Sequence, residues 1–334
     1  VTISSRQIAG ADHVNNASTG DSGDLEFYAP EINFNSGTQV LAHATDGYNG
    51  GKISALAELS VLDAVDAVDV GVVADDSLFK AAAIDFQAVA SNDVSGLAGD
   101  SITSEVNALI DLQNSTLDTE SGDVFLSAVA TLSSMLSLDN IPDEIFIEQA
   151  VSAAIFLGAG TVVTGASVEV LTETRNSVSA ALSNSANAAY SDVSGLFSAL
   201  ASDSRVEVAS GADIQTTDPG NVVLSARADT DVDIALEHVK PDAESPSAVM
   251  AVSEVDSNAE ATVAADLDVS ILEVYAHSEI NSDVSATTVF PVSVMALLAA
   301  DELDPADLPL TLTVAASQHN NRAKAGFIDG AVIN

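Results

Sequence analysis

The run Val206-Glu207-Val208, Gly211-Ala212-Asp213-Ile214, Gly220-Asn221 and then Val222-Val223-Leu224-Ser225-Ala226-Arg227-Ala228 decides the fold. Apolar and polar residues alternate through each part of it. A period of two marks a β-strand with one buried face. The Gly-containing pairs between the runs are turn chemistry. The same unit returns along the chain. Gly122-Asp123 precedes Val124-Phe125-Leu126-Ser127-Ala128-Val129-Ala130, and Gly23-Asp24 precedes Leu25-Glu26-Phe27-Tyr28-Ala29. Ile84-Asp85-Phe86-Gln87-Ala88, Val168-Glu169-Val170-Leu171-Thr172 and Leu272-Glu273-Val274-Tyr275-Ala276 carry the strand without that turn. Leu310-Thr311-Leu312-Thr313-Val314 reads as a degenerate last copy. From Ile84 through Val124, Val168 and Val222 to Leu272 the steps are 40, 44, 54 and 50 residues. These steps lie in or near the range of stacked-repeat folds.

Some segments also fit a helical period. They include Val106, Leu109 and Ile110, then Ile145, Ala150, Val151, Ala154 and Ile155 after Pro142, and the series from Val178 to Leu200. Pro142 with Asp143 and Glu144 is a good helix start. Short helical insertions are therefore expected near 101–115, 141–157, 175–203 and 289–300.

Composition narrows the class. The 334 residues hold 50 acidic and 9 basic side chains, a net charge of −41, with 47% hydrophobic residues, 4% aromatic, and neither Cys nor Trp. That apolar fraction builds a core, here from slim aliphatic groups. The charge speaks against nucleic acid, whose phosphates need clustered Lys and Arg. The lack of Cys excludes disulfides, thiolate zinc and a Cys nucleophile. No signal peptide or transmembrane segment is read. The longest apolar run, Val289 to Ala300, is broken by Pro291 and is short of a bilayer span.

The run Ala248-Val249-Met250-Ala251-Val252-Ser253-Glu254-Val255-Asp256-Ser257-Asn258-Ala259-Glu260-Ala261-Thr262-Val263, with Gly220 to Ala226 and Gly122 to Ala128, resembles the repeats of giant exported β-helical proteins of the filamentous-haemagglutinin, autotransporter-passenger and leukotoxin-like adhesin type. The resemblance implies a right-handed parallel β-helix that serves as a spacer or adhesive stalk outside the cell, with no catalytic residues. Stacked strands about 4.8 Å apart suit ladders of Ala, Val, Ile and Leu. At roughly 20 to 25 residues per coil, about 13 to 17 coils are expected. Tandem antiparallel β-sandwich domains are the alternative. The chain is expected to form a single continuous repeat domain, 1–334.

The charge is itself a physical problem, because like charges about 5 Å apart repel by roughly 0.8 kcal/mol per pair even in water. High salt or Ca²⁺ would relieve it. Asp229, Asp231 and Asp233 alternate, so they share one strand face, as do Asp266 and Asp268. Rows of carboxylates suit a hard cation. The plain reading is a solvated acidic face.

Other motifs read as structure. Gly20-Asp21-Ser22-Gly23, with His13 before it, is a turn rather than a protease nucleophile. Gly47 to Lys52 fails as a phosphate loop. His13, His43, His238, His277 and His319 lack metal-helix spacing. Asn16-Ala17-Ser18 and Asn114-Ser115-Thr116 fit the weak glycosylation pattern. Asp75-Asp76 is a carboxylate pair on which a β-helix polysaccharide lyase or hydrolase would draw, yet the few cations are dispersed, and a turn is the simpler reading.

The expected protein is thus a non-enzymatic structural subunit or segment of an extracellular fibre, stalk or coat, whose partner is a copy of itself. The alternative is a calcium-dependent surface-layer or adhesin module binding a glycan or protein.

Overall fold

The computed structural model describes residues 2–4, 22–43, 50–62, 67–95, 101–119, 121–138, 144–184, 193–239, 247–289, 311–328 and 331–333. They form twenty β-strands: β1 Thr2–Ser4, β2 Leu25–Tyr28, β3 Glu31–Phe34, β4 Gln39–Ala42, β5 Lys52–Leu62, β6 Val68–Asp75, β7 Leu78–Ala81, β8 Ala83–Val94, β9 Ser101–Gln113, β10 Thr116–Asp118, β11 Val124–Leu138, β12 Glu144–Leu157, β13 Val162–Asn184, β14 Val193–Val208, β15 Asp213–Val239, β16 Ser247–Val263, β17 Asp266–Asp268, β18 Ile271–Val289, β19 Thr311–Phe327 and β20 Val332–Ile333. Among the described residues there is no helix, so none is long and apolar enough to cross a membrane.

The strands make two all-parallel sheets. One has thirteen strands and two arms: β1-β4-β7-β10 and β2-β5-β8-β11. Both arms meet on β13 and continue onto β15, which then pairs with β17 and β18. Strand β13 leaves one arm and enters the other at a register break between Gly165 and Ser167. The sheet therefore bends until it is nearly closed, like a barrel wall. The second sheet has seven strands, in the order β3-β6-β9-β12-β14-β16-β19.

This corrects the expected architecture. Branched, barrel-like pairing around β13 and β15 is not a right-handed β-helix of uniform narrow coils, and parallel pairing throughout rules out antiparallel sandwiches. Nor is there a fixed repeat. Ile53, Ile84, Val124, Val168, Val222 and Leu272 are register partners, but the steps between them run from 31 to 54 residues rather than 20 to 25. The helical insertions are corrected as well. Residues 101–115 fall mainly in β9, 144–157 form β12, and 175–203 belong to β13 and β14 outside the undescribed 185–192. The insertion at 289–300 lies outside the described residues apart from Val289, which ends β18.

The reason is visible in β9. Ile102, Ser104, Val106, Ala108, Ile110 and Leu112 are buried in strict alternation, whereas Leu109 faces outward. A spacing of four, as between Leu196 and Leu200, fits one helical turn and two strand alternations equally. The long-range pairing decides between them.

Two devices hold the core. At the end where the strands have only three or four residues, Phe34 stands edge-on to Phe27 and Phe79, and Phe79 edge-on to Phe86, with centroids 4.9 to 5.2 Å apart. Large rings thus have a place at the narrow end that the aliphatic reading did not give them. Further along, polar residues bridge the two sheets. Asn92 Nδ2 donates to Ser104 Oγ (2.7 Å), Asn176 Nδ2 to the carbonyl of Ala201 (3.1 Å) and Ser204 Oγ to Thr172 Oγ1 (2.8 Å). Ser202 and Thr230 hydroxyls meet at 2.8 Å. Buried polar groups must find such partners.

Candidate functional site

The outer faces carry the acids, and the register decides which of them meet. Asp229, Asp231 and Asp233 all point outward from β15. Asp229 is half-buried and the other two are exposed. Same-face neighbours on one strand stand about 6.8 Å apart, so the three carboxylates form a row rather than one chelate. Asp229 Oδ2 pairs with Arg227 Nε at 2.7 Å, and that contact raises the guanidinium further above its usual range. Asp231 accepts from Asn281 Nδ2 at 3.0 Å. Asp233 lies in register between Ser179 and Asp283.

Strand β18 brings a different set together. His277 is opposite Arg227, and Glu279 is opposite Asp229. Ligand atoms of Asp229, His277 and Glu279 lie within 4.8 Å of one another, with His277 Nε2 3.4 Å from Glu279 Oε2. One imidazole and two carboxylates are a donor set for a divalent cation. The Arg227 guanidinium beside them weakens the case, because it already neutralises Asp229. The sequence held the signal for this grouping: the step of 50 from Val222 to Leu272 also carries 227 to 277 and 229 to 279.

A shallow groove of about 630 Å³ crosses the same face, where Ser133, Ser177, Asp231, Asp233, Asn281 and Asp283 line it. It offers hydroxyls, amides, carboxylates and the His319 imidazole to a ligand, and no Lys or Arg.

The remaining candidates are structural. Asp75 ends β6, and Asp76 is the corner that follows it, with φ of 45°. Asn114, with φ of 47°, and Gly160, with φ of 78°, occupy the corresponding corners of later layers. Each corner is followed by an inward hydroxyl. Ser77 Oγ donates to the carbonyl of Asp75 (2.9 Å), Ser115 Oγ to that of Gln113 (2.8 Å) and Thr161 Oγ1 to that of Leu112 (2.8 Å). The glycosylation pattern at Asn114-Ser115-Thr116 is therefore a buried corner hydroxyl flanked by strand. The pattern at Asn16 lies outside the described residues, as do His13 and parts of both rejected loops, Gly20 with Asp21 and residues 47–49. Gly122 is not in a left-handed conformation. A Cβ there would sit 1.5 Å from the carbonyl oxygen of Ala82, so its role is close approach between layers.

His238 is buried, with Nδ1 3.1 Å from Ser194 Oγ. His319 Nε2 lies 2.6 Å from Ser317 Oγ on the exposed strand β19. His43 is half-buried.

No family model matches the chain, and no curated protein or solved structure is similar to it.

Proposed function

We propose that the chain is a non-enzymatic structural protein, a subunit or segment of an extracellular fibre, stalk or coat, which works through shape, charge and assembly with copies of itself. One observation carries this reading. Both sheets finish in long strands, β18 with 19 residues and β19 with 17, and no described strand pairs with the far edge of either. Free edges of that length are templates for another strand. The dispersion of positive charge adds support. Six of the seven described Lys and Arg residues are neutralised by a neighbouring carboxylate, which leaves no cationic cluster to grip an acidic sugar. Negative-stain microscopy of the purified chain tests the proposal. Filaments, sheets or smaller regular assemblies down to a dimer are expected, and isolated single chains at every concentration would overturn it.

The groove with Asp231, Asp233 and Asp283 favours a second reading, a calcium-dependent surface-layer or adhesin module. Thermal melts with calcium and with chelator, at matched ionic strength, separate the two. A raised midpoint with calcium supports the module, and an unchanged one removes it.

A further inference from the structure

The free edges differ in charge. Strand β18 carries Glu273, Glu279 and Asp283 with no Lys or Arg, while β19 carries Arg322 and Lys324 with no acid. In a chain with 50 acidic residues, a 17-residue strand without one is unusual. Lys324 Nζ is satisfied within the chain by Glu260 Oε1 at 2.6 Å. Arg322 is exposed and, among the described residues, is the one cation without an ion pair.

The same end collects exposed apolar groups. Ile271, Tyr275, Val289, Leu312, Phe327 and Ile328 are six of the ten large hydrophobic residues most exposed among those described. Such clustering marks an interaction surface. Between them lies a polar layer in which the two edge strands meet. Thr288 Oγ1 is 2.9 Å from Thr313 Oγ1, Ser282 Oγ is 3.0 Å from Ser317 Oγ, and Asn321 Nδ2 donates to the carbonyl of Ser278 at 3.0 Å. The residue numbers rise on one strand as they fall on the other, so β18 and β19 run in opposite directions side by side.

We infer that this end is self-complementary and that two copies of the chain join through it, tail to tail, about a two-fold axis parallel to the strands and midway between β18 and β19. The axis lays β18 of one copy along β19 of the other in antiparallel order. The free edges then pair with each other, which supplies the missing backbone hydrogen bonds. The Ser282–Ser317 and Asn321–Ser278 contacts, the nearest to Arg322, set the alignment. Counting one residue back from Ser278 and one on from Asn321 puts Arg322 opposite His277 and diagonal to Glu279, two residues along the same face and within reach of the long guanidinium side chain. Arg322 and Glu279 face outward on their strands, and two-fold symmetry makes the pair twice. The unpaired guanidinium of Arg322 thereby meets a carboxylate, and the rim of apolar residues closes around a polar centre.

This inference rests on the assembly reading above and specifies its contact. Sedimentation velocity on the unsubstituted chain should give a species of twice 33.9 kDa. Arg322→Glu and Glu279→Arg should each weaken it by at least about tenfold. An equimolar mixture of the two single variants should restore it, because each supplies the charge the other needs, and circular dichroism checks that both variants stay folded. A dimer indifferent to both substitutions, or no rescue on mixing, overturns the inference. If Arg322→Glu still forms filaments as readily as the unsubstituted chain, the tail-to-tail contact falls and the structural reading stands. A monomer without filaments removes both.

Discussion

Asn114 stands one layer beyond Asp76, both with left-handed backbone, and its Nδ2 donates to Asp76 Oδ1 at 3.4 Å. Ser36 Oγ donates to Asp76 Oδ2 from the other side, at 2.9 Å. The column turns each layer through its corner with residues that accept positive φ at little cost. Asp76→Gly and Asn114→Gly should therefore stay within about 1 kcal/mol of the unsubstituted chain, whereas Asn114→Val should cost about 1–3 kcal/mol. Gly160→Ala should fall with the costly group, since its φ is 78° and the new Cβ would sit 2.5 Å from Asn114 Oδ1. Denaturant unfolding of the four variants checks the order. Equal loss from Gly and Val at position 114 contradicts it.

The aromatic cluster at the narrow end supports the shortest strands. Phe79 and Phe86 are both wholly buried. Replacing either with Ala should lower stability by about 3–5 kcal/mol, more than Ala in place of half-buried Leu59 on the rim. Urea unfolding midpoints at constant slope give the comparison.

Thr174 is buried on β13, and its Oγ1 has no hydrogen-bond partner. Its register partners Ala130 and Ala228 are apolar. Thr174→Val should therefore stabilise the fold by about 1 kcal/mol, because it removes an unmet polar group and fills the same space. A drop in melting temperature would reveal a partner that the hydroxyl depends on.

Carboxylates adjacent across strands, such as Asp233 with Asp283 and Asp229 with Glu279, repel in dilute buffer. Raising NaCl from about 0.1 M to 1 M shortens the screening length from about 10 Å to 3 Å. The melting temperature should rise over that interval, and more so than that of a variant carrying Asp233→Asn and Asp283→Asn. Scanning calorimetry at fixed pH reads the difference.

Two tyrosines report the same crowding. Glu58 beside Tyr28, and Glu273 hydrogen-bonded to Tyr275, push both phenols above their ordinary value near 10. A raised folded value means that the folded state holds the proton more tightly. The contribution to stability is whole below the unfolded value and is lost as pH climbs through the raised ones. Absorbance titration should show two of the four tyrosines ionising late. Glu58→Gln should bring one of them back towards 10, and an unmoved curve would show that the carboxylate is not the cause.

Much of this was legible in the chain. Alternation alone placed β2, β8, β11, β13, β15 and β18, because Val, Ile and Leu at every second position can bury only one face of a pleated ribbon. It also placed Asp75-Asp76 in a turn. The helical segments misled because Ala favours a helix on local propensity alone, which the long-range pairing overrides, and because Val178 with Leu182 suits both periods. The sheet architecture was out of reach. Nothing local shows that β13 and β15 pass unbroken from one arm to the other. The corner hydroxyls at Ser77, Ser115 and Thr161 were missed too, since a small residue before Ser or Thr is common text. Only register gives it a place. The meeting of Asp229 with Glu279 was within reach through the step of 50 between Val222 and Leu272, but a single strand read by itself does not display it.

Strand length also has a mechanical meaning. In the seven-stranded sheet the strands grow from 4 residues in β3 to 8, 13, 14, 16, 17 and 17. Each layer clings to the next through bonds whose number follows that width. Tension drawn along the pile is borne by every junction in series, so the slenderest yields first. Under load the molecule should peel from its thin end, a few bonds at a time, while the broad end stays locked.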